Sequence, residues 1–182
     1  MELSRCFIAL EPPREAINEL ERIQNLIREK NLFYGKFTEP ENLHLTLKFL
    51  GEIDEEKLKE VKERLKKIKF KSFEASLGEL GFFSKNFLKI LWIKIRGKGV
   101  FDLQKEIDKS LEGLFEKEAR FMSHLTIARI KKVLDRESLL NYVKNLKIKK
   151  IKFLVKDFIL KKSELKPQGP IYTDLERFKL DA

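Results

Sequence analysis

Only two histidines occur in the 182 residues, and each opens the same tetrad, His44-Leu45-Thr46-Leu47 and His124-Leu125-Thr126-Ile127. Threonine is scarce, so its recurrence two places after both histidines has odds of roughly one in two thousand by composition alone. In a strand, residues i and i+2 project from one face. Each tetrad therefore predicts a strand that buries its aliphatic side chains and offers an imidazole and a hydroxyl on the other side, a rigid mount for chemistry. Two imidazoles flanking one phosphorus suit in-line displacement. One, neutral, takes a proton from attacking water, and the other, protonated, gives one to the departing oxygen. Free imidazole titrates near neutrality and a nearby phosphate favours its charged form, so the pair can work at physiological pH. The hydroxyls of Thr46 and Thr126 are expected to hydrogen-bond the non-bridging oxygens, where negative charge gathers.

A lone histidine in an apolar strand is commonly a buried, satisfied residue, but two copies of one motif argue against that reading. There is no HExxH, no Cys–His cluster and no third ligand at a sensible spacing, so no metal is expected. A GxSxG elbow is absent too, which disfavours serine catalysis.

The elements that must position these motifs follow from periodicity. Residues 5–10 read as a strand ended by Glu11-Pro12-Pro13, and Ile17, Leu20, Ile23, Leu26 and Ile27 recur at helical spacing up to about Lys30. A short strand is expected at 33–38 and another from Leu43 to Leu50, after which Asp54 caps a helix over 55–68. Strands at about 72–80 and 88–96 form a hairpin, a helix covers Val100 to Phe115, and FMSHLTIARI is the second His-bearing strand. Asp135 then caps a helix to about Leu146. The end offers one strand at 150–161, a Pro/Gly turn at KPQGP and an extended stretch from Ile171 to Leu180. KPQGPIY reads as a fixed turn rather than a binding loop.

The halves read alike, with the histidines eighty positions apart, which implies an internal duplication. The expected fold is α+β: one domain over residues 1–182 made of two intertwined, pseudo-symmetric lobes. Antiparallel-rich sheets, flanked by helices, would face a central cleft carrying both motifs.

A formal charge of +10, from 39 basic and 29 acidic residues, favours a polyanionic partner such as nucleic acid. The Lys/Glu-rich surface also fits a thermostable protein. Cys6, the single cysteine, is expected in a buried strand and forms no internal disulfide. No apolar run reaches bilayer length and the N-terminus lacks a signal peptide, so a cytoplasmic, membrane-free monomer is expected.

Beyond the two tetrads, RCFIALEPP, PENLHLTLKFLGEID, HLTIARI and SELKPQGPIYTDLERFKL together resemble the 2H phosphoesterases with paired HxTx motifs. The resemblance is specifically to their branch of RNA 2′,3′-cyclic phosphodiesterases, also called 2′-5′ RNA ligases, and it extends over almost the whole chain. It implies a bilobal fold that hydrolyses RNA 2′,3′-cyclic phosphate ends to 2′-phosphate without cofactor. By this resemblance, His44 is the general acid for the 3′ oxygen and His124 the base, Thr46 and Thr126 contact the phosphate, and Arg129 neutralises its charge. Strand alternation sets Arg129 on the side opposite His124, so a bulge or strand end is required. Alternation also sets Lys48 beside His44 and Thr46, where it could meet RNA phosphates, although an exposed lysine in so basic a chain needs no special role. Phe7, Phe49, Trp92 and Tyr172 are candidates for base stacking. Two alternatives stay open: RNA joining through a 2′-5′ linkage, the reverse chemistry, and an RNA-end-binding module without turnover.

Overall fold

A computed structural model describes residues 3–182. Its elements run β1 (Ser4–Leu10), α1 (Arg14–Lys30), β2 (Phe33–Phe37), β3 (Leu45–Ile53), α2 (Glu55–Lys66), β4 (Phe73–Phe82) and β5 (Ile90–Arg96). There follow α3 (Lys98–Ser110), β6 (His124–Val133), α4 (Arg136–Asn145), β7 (Lys152–Val155), β8 (Asp157–Lys166) and β9 (Gly169–Lys179).

The helices form for the reasons their spacing gives. In α1, Ala16, Leu20, Ile23 and Ile27 are buried on one face, and the helix stops where Asn31 adopts a left-handed φ of 49°. The carboxylates of Asp54 and Asp135 accept from the backbone N–H of Lys57 at 2.8 Å and of Ser138 at 3.0 Å, capping α2 and α4. Helix α3 is displaced from the expected 100–115. It opens directly after Gly97, and beyond Ser110 the chain turns away through Gly113, whose φ is 82°.

The strands join in the order β7-β4-β5-β6-β3-β1-β8-β9, every neighbour antiparallel, with β2 also beside β6. At the centre, β3 and β6 pair at one position, Leu45 with Leu125. Outward from there, β3, β1, β8 and β9 build one lobe, and β6, β5, β4 and β7 the other. Helices α1 and α3 follow β1 and β5, and α2 and α4 follow β3 and β6, so the two lobes repeat one plan. The sequence repeats exchange a strand, because β4 of the first pairs with β5 of the second while β8 returns to β1.

That exchange corrects the single strand expected at 150–161. Val155 ends β7 on β4, and after Lys156 the chain crosses to start β8 on β1, in the other lobe. The local run contains no Gly or Pro, and only the charged pair Lys156-Asp157 interrupts its apolar residues at the crossing. The hydrophobic core includes Ile8, Leu20, Leu47, Ile93, Leu103 and Ile127, none more than 1% exposed. Among the described residues no helix is long and apolar enough to cross a membrane.

Candidate active site

The pairing of Leu45 with Leu125 places the residue before each leucine opposite the residue after the other. His44 thus lies across from Thr126, and Thr46 across from His124. The histidines occupy one diagonal of this four-residue square, where side chains project roughly 7–8 Å apart by strand geometry. Both leucines are buried, at 2% and 0% exposure. Beyond this pair β3 and β6 part, and β2 takes the place beside β6 from Ala128 onward. The parting opens a cleft of about 560 Å³ lined by His44, Thr46, His124, Thr126 and Arg129. All five residues expected at the site are therefore brought together.

Each imidazole is held by the backbone two residues earlier. His44 Nδ1–H donates to the Asn42 carbonyl at 2.7 Å, and His124 Nδ1–H donates to the Met122 carbonyl at 2.7 Å. A carbonyl only accepts, so both rings carry Nδ1–H and present Nε2 for proton transfer. His44 Nε2 lies 3.1 Å from Thr46 Oγ1.

The surroundings differ between the copies. Phe7 and Tyr172 pack on His44 at 5.0 and 5.1 Å between ring centroids, and Phe83 meets His124 edge-on at 4.8 Å. Burial pushes the His44 imidazole down to about 4. The Asn42 carbonyl and Glu11 oppose the shift, and the cations of Lys161 and Arg129 add to it.

Arg129 reaches the cleft because β6 is bulged. Leu91 of β5 pairs with Ala128 and Trp92 with Thr126, leaving Ile127 as an extra residue, so Ile127 and Ala128 are both buried and the alternation is reset. Arg129 emerges exposed, on the side of His124 and Thr126. The Ile127 carbonyl displaced by the bulge accepts from Thr38 N–H at 2.8 Å and from Gln24 Nε2 at 3.0 Å. Gly35 lets the β2 backbone close on this spot, since a Cβ there would collide with the Arg129 carbonyl oxygen.

Strand β3 carries the matching bulge. Ile8 pairs with Lys48 and Ala9 with Thr46, so Leu47 is extra. This overturns the expectation of an exposed Lys48. The bulge turns it inward to 4% exposure, where its ammonium meets Asp108 Oδ1 at 2.5 Å and the Glu116 carbonyl at 2.8 Å. Phe49 takes the position equivalent to Arg129 and stands 73% exposed at the cleft, against Phe7.

Of the other aromatic candidates, Phe7 and Tyr172 line the cleft, whereas Trp92 does not. KPQGP is the expected turn, a two-residue hairpin between β8 and β9. Its flanks also form a cleft wall through Leu165 and Pro170. Asn42 Nδ2 donates to the Pro170 carbonyl at 3.3 Å, and Lys36 Nζ donates to the Gln168 carbonyl.

Sequence reasoning missed Gln24, which braces the Arg129 bulge, and Gln104, which donates to Asp108 Oδ2 at 2.9 Å. Each is a polar residue on the apolar face of its helix, and the two are separated by the same offset as the histidines. That offset was the available signal.

A LigT-like phosphoesterase family model matches residues 10–91 and 96–172, and the chain belongs to that family. It is similar to the RNA 2′,3′-cyclic phosphodiesterase of Methanocaldococcus jannaschii, 35% identical over 171 residues that cover 92% of this chain and 96% of the relative. The protein of that name from Aquifex aeolicus is 33% identical, with 99% of each chain covered. Among solved structures, TT0787 of Thermus thermophilus superposes with a TM-score of 0.80 at 28% identity, over 96% of this chain and 97% of the other. E. coli LigT in apo form shares the fold over the whole of both chains, with a TM-score of 0.80 at 22% identity.

Proposed function

We propose that this chain hydrolyses RNA ends bearing a 2′,3′-cyclic phosphate to 2′-phosphate ends, with His44 and His124 as a metal-free acid–base pair. The observation that carries the reading is the pair of Nδ1-anchored imidazoles on one diagonal of a cleft, beside the Arg129 guanidinium. The names of the relatives support the substrate class.

The cyclic phosphate sits between the rings, with Thr46, Thr126 and Arg129 on its non-bridging oxygens. Water attacks phosphorus and gives a proton to His124 Nε2. The P–O3′ bond breaks, and O3′ takes the proton of His44 Nε2. The products are a 2′-phosphomonoester and a 3′-hydroxyl, and solvent resets the two histidines. An anionic substrate offsets the Arg129 charge and draws His44 towards its protonated form. The exposed face of Phe49 receives the base of the terminal nucleoside.

Incubating the protein with an oligonucleotide 2′,3′-cyclic phosphate and excess chelator should yield the 2′-phosphate at an undiminished rate. Activity lost to chelation would remove the metal-free mechanism. Replacing either histidine with Ala should slow turnover on the order of a hundred- to ten-thousandfold.

One observation favours a second assignment. The low His44 pKa in the free protein suits a base, which exchanges the two roles. A substrate with sulfur at the 3′ bridging position needs no proton on its leaving group, so it separates the assignments. His44→Ala should regain most of its rate on that substrate if His44 is the acid, and His124→Ala should regain it if the roles are exchanged.

A further inference from the structure

We propose that Arg5, with Ser163 beside it, seats the phosphodiester preceding the reacting one and so makes the enzyme prefer oligonucleotide ends to mononucleotides. This rests on the cyclic-phosphate reading above and extends it to the shape of the substrate.

Along β1, Arg5 and Phe7 share a face and lie roughly 6.6 Å apart by strand rise. Phe7 pairs with Phe49 on one side, and Arg5 pairs with Ser163 on the other. All four line the cleft. The β1–β3–β8 face therefore changes character along its length, from the histidine and threonine of the first motif, through an aromatic floor, to a guanidinium beside a hydroxyl.

The chemistry of the end fixes the direction of the RNA. A cyclic phosphate occupies the 2′ and 3′ oxygens, so the rest of the chain leaves through the 5′ oxygen of the same nucleoside. With phosphorus between the histidines and the base on Phe49, the next anionic group comes one nucleotide further along the floor, where Arg5 and Ser163 stand. The Arg5 side chain is 52% exposed, and its carboxylate neighbour, Glu52, is 4.0 Å away and 59% exposed. That contact is at the limit of an ion pair and is weak in water. The guanidinium is therefore available for a phosphate, which it can engage with two parallel N–H donors. A mononucleotide has nothing to place there.

The test compares wild type, Arg5→Ala and Arg5→Lys on a nucleoside 2′,3′-cyclic phosphate and on a trinucleotide with the same cyclic end, across a KCl series. Wild type should show the higher kcat/KM on the trinucleotide. Arg5→Ala should cut the trinucleotide-to-mononucleotide ratio about tenfold. It should also flatten the salt dependence of log kcat/KM on the trinucleotide by about 0.7, the value for one contact to a single strand, and Arg5→Lys should keep most of that slope. An unchanged ratio and slope in Arg5→Ala, or an equal loss on both substrates, would overturn the proposal. Binding of a fluorescent trinucleotide 2′-phosphate in the same salt series tests Arg5 without turnover. If wild type hydrolyses neither substrate, the reaction itself is refuted, and the difference in binding between wild type and Arg5→Ala still decides the role of Arg5.

Discussion

His44 and His124 carry one ring on one kind of mount, yet their neighbours differ, with Phe7 and Tyr172 against His44 and Phe83 against His124. Burial between Phe7 and Tyr172 holds the folded His44 pKa down to about 4. An unfolded chain protonates this imidazole below its ordinary 6.5, while the folded chain does not until about 4. Stability that is full above pH 6.5 is therefore lost progressively as pH falls towards 4, by about 2–3 kcal/mol. His44→Asn, which cannot titrate there, should show a smaller drop in urea-unfolding stability between pH 7 and pH 4.5. A drop as large as that of wild type would show that His44 is not the source. The histidines and threonines were legible from sequence because a repeated tetrad needs only local alternation to place its side chains. Lys48 was not, because alternation holds only while the register is unbroken.

The two bulges are what bring Arg129 out and turn Lys48 in, and each is held by partners from outside its strand. Gln24 Nε2 donates to the Thr38 and Ile127 carbonyls at 2.8 and 3.0 Å. Gln24→Leu should lower stability by about 1–3 kcal/mol, since the buried Ile127 carbonyl and the partly buried Thr38 carbonyl each lose a donor. It should also cut kcat/KM about tenfold or more by misplacing Arg129. Full activity on cyclic phosphate would refute the bracing role. On β3 the brace is ionic: Asp108 accepts from Lys48, from Gln104 and from the Glu118 N–H at 3.0 Å. Burial pushes the Asp108 carboxyl up, but these donors outweigh it and hold the pKa below its usual value. Lys48→Met leaves that carboxylate buried without its cation and should cost about 3–5 kcal/mol. Adding Asp108→Asn should restore much of the loss, because Asn still accepts from Glu118, and urea unfolding of the three proteins measures both effects. Helix positions were readable from caps and apolar spacing. The bulges were not, because one extra residue changes no composition and shows itself only against a paired neighbour. The position of Arg129 nevertheless demanded one.

At the scale of the molecule, the charged residues expected on the surface form ion pairs spread over it, among them Arg64–Glu60 at 2.7 Å, Lys152–Glu74 at 2.9 Å and Lys179–Asp157 at 2.9 Å. Such pairs gain weight on heating, as the penalty for desolvating charge falls. A melting midpoint above about 65 °C is expected by calorimetry, and one within the ordinary mesophile range would refute it. The duplicated plan could be read from the sequence, whereas the exchange of strands between lobes could not, because pairing over long separations leaves no trace in a local pattern. The exchange bears on how the protein is made. Strand β1 is synthesised first, but one of its edges waits for β8, so that Ile8 meets Leu160 only when most of the polypeptide has left the ribosome. Tyr172, which closes over His44, arrives later still. The nascent chain therefore carries an open β-edge and an unfinished catalytic wall until the final hairpin docks. Folding should be slow for the size of the protein, and a stop codon ahead of β9 should yield an aggregation-prone polypeptide rather than a weakened enzyme.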